Sequence, residues 1–387
     1  MSYHMHVPTD LYFGCGELNN LHKRPLPGKK ALIVISNGKS TRANGYLTRL
    51  EEQLKLAGVD YAIFDRIEPN PLKSTVMAGA AAAREHGCDF IIALGGGSPM
   101  DASKAIAAMA TNEGDLWDYI AFGSGKGKKP EHPFLPLVAI TTTAGTGSET
   151  DTGAVITNEE TQEKTAFFGN YPVLAIVDPE LTASVPPKFT AYQGFDALFH
   201  SIEGYISRGA NLMSDMYALT AVENIGRYLP RAVQNGQDLE ARERVAFANT
   251  LSGVVMCVGQ LTSEHPLEHA MSAFHQELPH GAGLIMLSLA FYTHFVQAHV
   301  CDERFIRLAK ALGKEDAAAP EDFLTALADL QAACGVADLK MSDYGITPDE
   351  FPKFARNAKD TLMPLFLADR APLSDEDCVK IYAASYR

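Results

Sequence analysis

The chain has 387 residues, too many for one small core and enough for about two domains. Its 46% hydrophobic and 21% charged residues are ordinary for a soluble globular enzyme. A net charge of −14 argues against nucleic acid or an anionic membrane as a partner, because both need basic patches. No apolar run approaches the roughly 18 residues that span a bilayer. The N-terminal MSYHMHVPTDLYFG lacks the basic and apolar segments of a secretory signal, and Cys15, Cys88, Cys257, Cys301, Cys334 and Cys378 form no CxxC pair. Reduced thiols and a cytoplasmic location are therefore expected.

After an extended piece ending in YFGCG, residues 30–36 read KALIVIS, a continuous apolar run suited to a strand buried on both faces. Residues 46–57 have helical periodicity and are closed by Gly58. A second strand is predicted at 59–64, an alanine-rich helix at 73–86 before Gly87, and a third strand at 90–94. Alternation of this kind predicts a parallel, Rossmann-like sheet covered by helices on both sides.

The third strand runs into Gly95-Gly96-Gly97-Ser98, with a helix predicted at 100–110. A strand, a glycine turn and a helix N-terminus make a phosphate site, since backbone N–H groups and the helix dipole face the anion. Asp101 is placed to cap that helix or to reach a ribose. The GxGxxG fingerprint is absent, and a plain tight turn is the simpler alternative. A further strand at 134–140 leads into TTTAGTGSE (141–149), a second loop rich in hydroxyls and glycines at a strand end. Ligands of open α/β sheets bind outside the carboxyl ends of strands, so two such loops favour a nucleotide site over two structural turns. Between them, GSGKGKK (123–129) reads as a flexible, solvated basic loop. Lys164, read from its surroundings alone, is a solvated surface charge, and 173–178 is a last strand.

From Pro186 the pattern becomes helical, at 192–207, 213–227, 239–257, 266–274, 282–297, 303–312 and 320–334. Two domains are therefore expected, an α/β domain at 1–185 and an all-α domain at 186–387. Asp196 and His200 are spaced i, i+4 on one helical face, as are His265 and His269. Pro266 falls in a helix's first turn, where proline is tolerated. His280, between Pro279 and Gly281, follows a break that lets it approach from another direction. Asp196, His200, His265 and His280 together offer one carboxylate and three imidazoles, a set that Fe²⁺ and Zn²⁺ both accept.

The ordered motifs GGGSPMDASK, TTTAGTGSE, Asp178-Pro179, DALFHSIEGY and HPLEHAMSAFHQELPHGAG resemble those of the iron-dependent, or group III, alcohol dehydrogenases, over nearly the whole chain. The resemblance implies a dehydroquinate synthase-like fold and hydride transfer between an alcohol, or its aldehyde or ketone, and NAD(P). It implies Asp196, His200, His265 and His280 as metal ligands, most simply of Fe²⁺, with His275 the alternative to His280 and the PHG context favouring the latter. His269 is implied as a proton relay beside the nicotinamide. Gly96, Gly97 and Ser98 would meet the pyrophosphate with Asp101 close by, Thr142, Thr143, Thr146 and Leu181 would contact the cofactor, and Lys164 would reach the ribose side. The loop Ser36-Asn37-Gly38-Lys39-Ser40-Thr41-Arg42 carries no acid to repel a 2′-phosphate, and its Lys39, Ser40 and Arg42 would welcome one, which leans toward NADP. A homodimer or larger assembly is implied too. Dehydroquinate-synthase-like and glycerol-dehydrogenase-like enzymes, and a non-catalytic nucleotide-binding protein, are the competing readings.

Overall fold

Asp10–Phe13 (β1) and Lys30–Ser36 (β2) are the first strands of the computed structural model, which describes residues 3–387. In chain order follow Ser40–Ala43 (α1), Tyr46–Ala57 (α2), Asp60–Ile67 (β3), Lys73–Glu85 (α3), Phe90–Gly95 (β4), Gly97–Met109 (α4) and Leu116–Tyr119 (α5). Then come Leu137–Thr141 (β5), Gly153–Asn158 (β6), Glu163–Phe168 (β7) and Leu174–Val177 (β8). These elements belong to one packing unit, residues 7–143 with 147–184.

The main sheet of this unit is parallel, in the order β1-β8-β5-β4-β2-β3, while β6 and β7 pair as an antiparallel hairpin. KALIVIS is continuously apolar because β2 is covered twice. Leu32 and Val34 pack in one layer with Val76, Ala80 and Ile106, and Ala31, Ile33 and Ile35 pack in the other with Leu47, Leu50 and Leu54. From β2 the chain goes to β3 on one side and then returns to β4 on the other. The loops after β2 and β4 thus flank the point where strand order reverses, the usual ligand position in such sheets.

Strand β5 begins at Leu137 rather than at residue 134, because Pro136 has no N–H to give to the ladder. The 123–129 segment is pinned rather than flexible. Lys126, Gly127 and Lys128 donate backbone hydrogen bonds to Trp117, Ile120 and Asp118, and the Lys126 ammonium lies 2.6 Å from Asp118. None of the six cysteines is in a disulfide, and three of them are buried.

The second unit takes residues 3–6, 144–146 and 185–387. Its helices are Pro187–Ile206 (α6), Leu212–Gln234 (α7), Leu239–Val258 (α8), Glu264–Phe274 (α9), His280–Gln297 (α10), Asp302–Ala311 (α11), Glu321–Ala333 (α12), Phe351–Leu367 (α13) and Asp375–Ser385 (α14). Helix α6 starts five residues before Tyr192 because Pro187 sits in its first turn, where the missing N–H costs nothing. Its core holds Phe195, Phe199, Phe291, Tyr292, Phe305 and Phe323, each fully buried. The start of α10 lies directly on α6. A Cβ at Gly281 would stand 2.2 Å from the Tyr192 carbonyl oxygen, so only glycine permits this approach. That contact brings His280 beside Asp196.

No helix among the described residues is long and apolar enough to cross a membrane.

Candidate metal centre and nucleotide loops

Asp196 and His200 sit one turn apart on α6, His265 in the first turn of α9, and His280 at the first position of α10. His200 Nδ1, His265 Nε2 and His280 Nε2 lie 3.4, 3.5 and 3.6 Å from one atom, Asp196 Oδ1. The His200 and His265 rings stack with centroids 4.3 Å apart. Asp196 Oδ1, His200 Nδ1 and His265 Nε2 are buried and make no hydrogen bond. Orphaned polar atoms of this kind are costly unless something outside the chain satisfies them. Donor atoms of Asp196, His265 and His280 all lie within 4.8 Å of one another, close enough for one ion to reach, and His200 Nδ1 adjoins them through Asp196. The residues fit a divalent metal.

The electrostatics agree. Burial alone would raise the Asp196 carboxyl, but His200, His265 and His280 hold it well below the usual range. Burial also pushes His200 down to about 3, which keeps its imidazole neutral as a ligand must be. Burial opposes the charging of His265, yet Glu203 and then Asp196 raise it to about 10. These carboxylates favour a positive charge at this point, which a divalent ion would supply.

Each ligand ring is also gripped from behind. Fully buried Glu203 bonds His265 Nδ1 and accepts from the Thr262 backbone N–H and hydroxyl at 3.0 and 2.9 Å. Fully buried Glu268 bonds His280 Nδ1, and the Gly145 backbone holds His200. Sequence reasoning missed both glutamates. The signal for Glu203 was available, since Asp196, His200 and Glu203 follow i, i+4, i+7 on one helical stripe.

His269 stands outside the Asp196 set, buried, with its ring 5.3 Å from that of His280 and 6.1 Å from that of His265. His275 is removed from the centre altogether. It ends α9, where Nδ1 meets the Tyr344 carbonyl at 3.1 Å and Nε2 meets Glu350 at 3.0 Å.

In the sheet unit, Gly95 pairs with Thr141 across β4 and β5, and the Thr142 N–H donates to the Gly95 carbonyl at 2.9 Å. The glycine loop and the threonine loop therefore leave adjacent strand ends. A Cβ at Gly96 would meet the Thr143 side chain at 2.8 Å. Gly97 and Ser98 open α4, which no side chain caps, so its first-turn N–H groups remain for an anion. Thr146 falls with Ala144 and Gly145 in the helical unit.

Asp101 caps nothing. Its oxygens accept from the Ser148 hydroxyl and the Val155 N–H, both at 2.9 Å, and burial pushes it up to about 6. Lys104, buried beside it, bonds Ser148, Asp151 and the Gly153 carbonyl. Lys164 is not a solvated charge. It is 4% exposed, and its Nζ donates to Asn70 Oδ1 at 3.0 Å. The Leu181 side chain is buried in the apolar layer of Ile35 and Tyr46, and its N–H donates to the Asp178 carbonyl at 2.9 Å.

A cavity of about 360 Å³ is lined by Ser36, Asn37, Gly38, Lys39, Arg42 and Asp65. Asp65 comes from β3, so the loop sequence alone could not show it. It pairs with Arg42 at 2.7 Å.

Residues 8–179 match the family model for iron-containing alcohol dehydrogenase, and residues 190–386 match the C-terminal model of the same family. The chain is 35% identical to the 1,3-propanediol dehydrogenase of Klebsiella pneumoniae over 374 residues, 92% of this chain and 93% of that one. It is 34% identical to the NAD-dependent methanol dehydrogenase of Bacillus methanolicus, covering 91% and 92%. Among solved structures, an archaeal halo-thermophilic alcohol dehydrogenase from a Red Sea brine pool superposes with a TM-score of 0.93 at 32% identity, covering 100% of this chain and 99% of that one.

Proposed function

The chain belongs to the iron-containing alcohol dehydrogenase family and is a metal-dependent, NAD(P)-linked oxidoreductase interconverting alcohols with aldehydes or ketones, and from that premise we propose how its residues divide the work. Asp196, His200, His265 and His280 hold the divalent metal, Fe²⁺ by family and Zn²⁺ by equal fit to the donors. When bound there, a divalent ion would supply Lewis acidity toward the alcohol or carbonyl oxygen and a nicotinamide would supply the hydride chemistry. One carboxylate and three neutral imidazoles contribute a single negative charge. A ligand set of that kind leaves a doubly charged cation net positive toward an oxygen gaining charge.

His269 takes or gives the proton at a ring nitrogen, imidazole being the side chain suited to that task near neutral pH. Gly96, Gly97 and Ser98 present N–H groups to the pyrophosphate. Thr142, Thr143 and Thr146 offer hydroxyls to the cofactor, Lys164 reaches its ribose side, and Leu181 contributes backbone. Asp101 acts less as a direct ligand than as the anchor of the hairpin behind the glycine loop. Residues 1–185 thus serve the nucleotide and 186–387 the metal, with Gly145 the exception behind His200.

We assign the preferred nucleotide as NADP. Arg42 balances Asp65 in the cavity after β2, and Lys39 is left as the surplus positive charge for a 2′-phosphate. The enzyme is further proposed to work in the cytoplasm as a homodimer or larger assembly, which sedimentation would test.

The observation that carries the reading is the convergence of three imidazole nitrogens on one buried Asp196 oxygen. Its test is metal analysis of anaerobically purified protein with an alcohol and aldehyde panel under both nucleotides. Turnover dependent on one bound metal per chain supports it, and full turnover after exhaustive chelation overturns it.

A further inference from the structure

We propose that Glu268 is a positioning residue: its carboxylate accepts the Nδ1–H of His280, fixes that ring's tautomer, and so aims Nε2 at the metal. The inference rests on the four-ligand reading above.

His280 differs from the other three ligands in how it is held. It begins a helix instead of lying within one, behind Pro279, which offers no side-chain cap. Its side chain is 23% exposed, against 6% for Asp196, 8% for His200 and 4% for His265. Packing alone therefore constrains this ring least, and a hydrogen bond must set its orientation. An imidazole free to exchange tautomers presents Nε2 as an N–H part of the time, and an N–H cannot ligate.

Glu268 is built into its place. It is fully buried, a cost that a carboxylate bears only with strong partners. The space it occupies exists because residue 283 is glycine. A Cβ there would stand 2.6 Å from Glu268 Cγ and 2.9 Å from its Oε1. Helices α9 and α10 thus close around the carboxylate at the turn that carries His280. A Glu268 oxygen and ring nitrogens of His269 and His280 all lie within 4.8 Å of one another. One carboxylate therefore borders both the ligand and the proposed proton relay. Ligating histidines commonly donate their second N–H to such a group, and its loss weakens metal binding about 10–100-fold.

The test uses full-length protein freed of metal by chelation, titrated with Zn²⁺ against a chromophoric chelator and separately loaded with Co²⁺ for its visible spectrum. Glu268→Gln keeps the side chain's volume, removes its charge, and turns an NH₂ toward Nδ1 in one of its two orientations. Zn²⁺ binding should weaken about 10-fold or more and the Co²⁺ bands should change, with NADPH binding unaltered. Gly283→Ala, which displaces the carboxylate without replacing it, should shift both readouts in the same direction. Zn²⁺ affinity in Glu268→Gln within about two-fold of the parent, with unchanged Co²⁺ bands, would overturn the inference. Failure of the parent itself to take up Zn²⁺ or Co²⁺ would overturn the metal reading, and is seen before any variant is made.

Discussion

Asp196 Oδ1 and His265 Nε2 face each other at 3.5 Å, both buried and neither hydrogen-bonded. A divalent cation bound between them would satisfy both atoms. Asp196→Asn should leave the metal-free fold intact, since the amide is nearly isosteric, and should abolish retention of metal through dialysis. Metal content and thermal unfolding of the two proteins check this. In the parent, Zn²⁺ at about 100 times its Kd should add ~2.7 kcal/mol of stability, and the variant should gain almost none.

The close seat of α10 on α6 gives a second prediction. A methyl at residue 281 would meet the backbone carbonyl of Tyr192, which cannot swing away as a side chain can. Gly281→Ala should cost about 1–3 kcal/mol in urea unfolding and lower metal affinity by shifting His280. An unchanged unfolding midpoint with unchanged Zn²⁺ binding would show that the approach is looser than described.

Part of this was legible in the chain. KALIVIS and FIIAL announce strands buried on both faces, and the DxxxH spacing puts Asp196 and His200 on one stripe. The β6–β7 hairpin was not legible, because its turn takes its positive φ, 54°, at Gln162 instead of at a glycine. Helix α13 was hidden by Pro364, two residues after the helix breaks at Leu362. Lys164 looked solvated because nothing near it in sequence reveals that Asn70, 94 residues away, accepts from it. Glu268 escaped for the same reason, since the packing of α9 on α10 chooses its partner, whereas Glu203 could have been read from its place on the Asp196–His200 stripe.

Nucleotide choice should respond to charge in the cavity after β2. Lys39→Ala should raise KM for NADPH by about 10-fold and hardly change that for NADH, the loss of one cation at a phosphate. Asp65→Asn should move NADH and NADPH in opposite directions, favouring NADPH further. Steady-state kinetics with each nucleotide decide it. Equal effects of Lys39→Ala on both would place the 2′-phosphate elsewhere.

Asp369 makes stability depend on pH. Burial raises its carboxyl to about 8, against the hydrogen bonds it accepts from Ser263, and the nearby Glu203 charge adds to the rise. An unfolded aspartate titrates near 3.9, so between about pH 4 and 8 the folded chain holds a proton the unfolded one has lost. Its contribution is full below pH 4 and disappears as pH rises through 8. Asp369→Asn should therefore flatten the decline of urea-unfolding stability over that interval. A decline equally steep in the variant would assign the proton to another group.

The most direct test of the metal centre is X-ray absorption at the zinc edge on protein carrying one equivalent of Zn²⁺. The expected result is about four nitrogen or oxygen ligands at ~2.0–2.1 Å with the outer-shell scattering of three imidazoles. A sulfur ligand near 2.3 Å, or scattering from fewer than two imidazoles, would contradict the convergence of His200, His265 and His280 on Asp196.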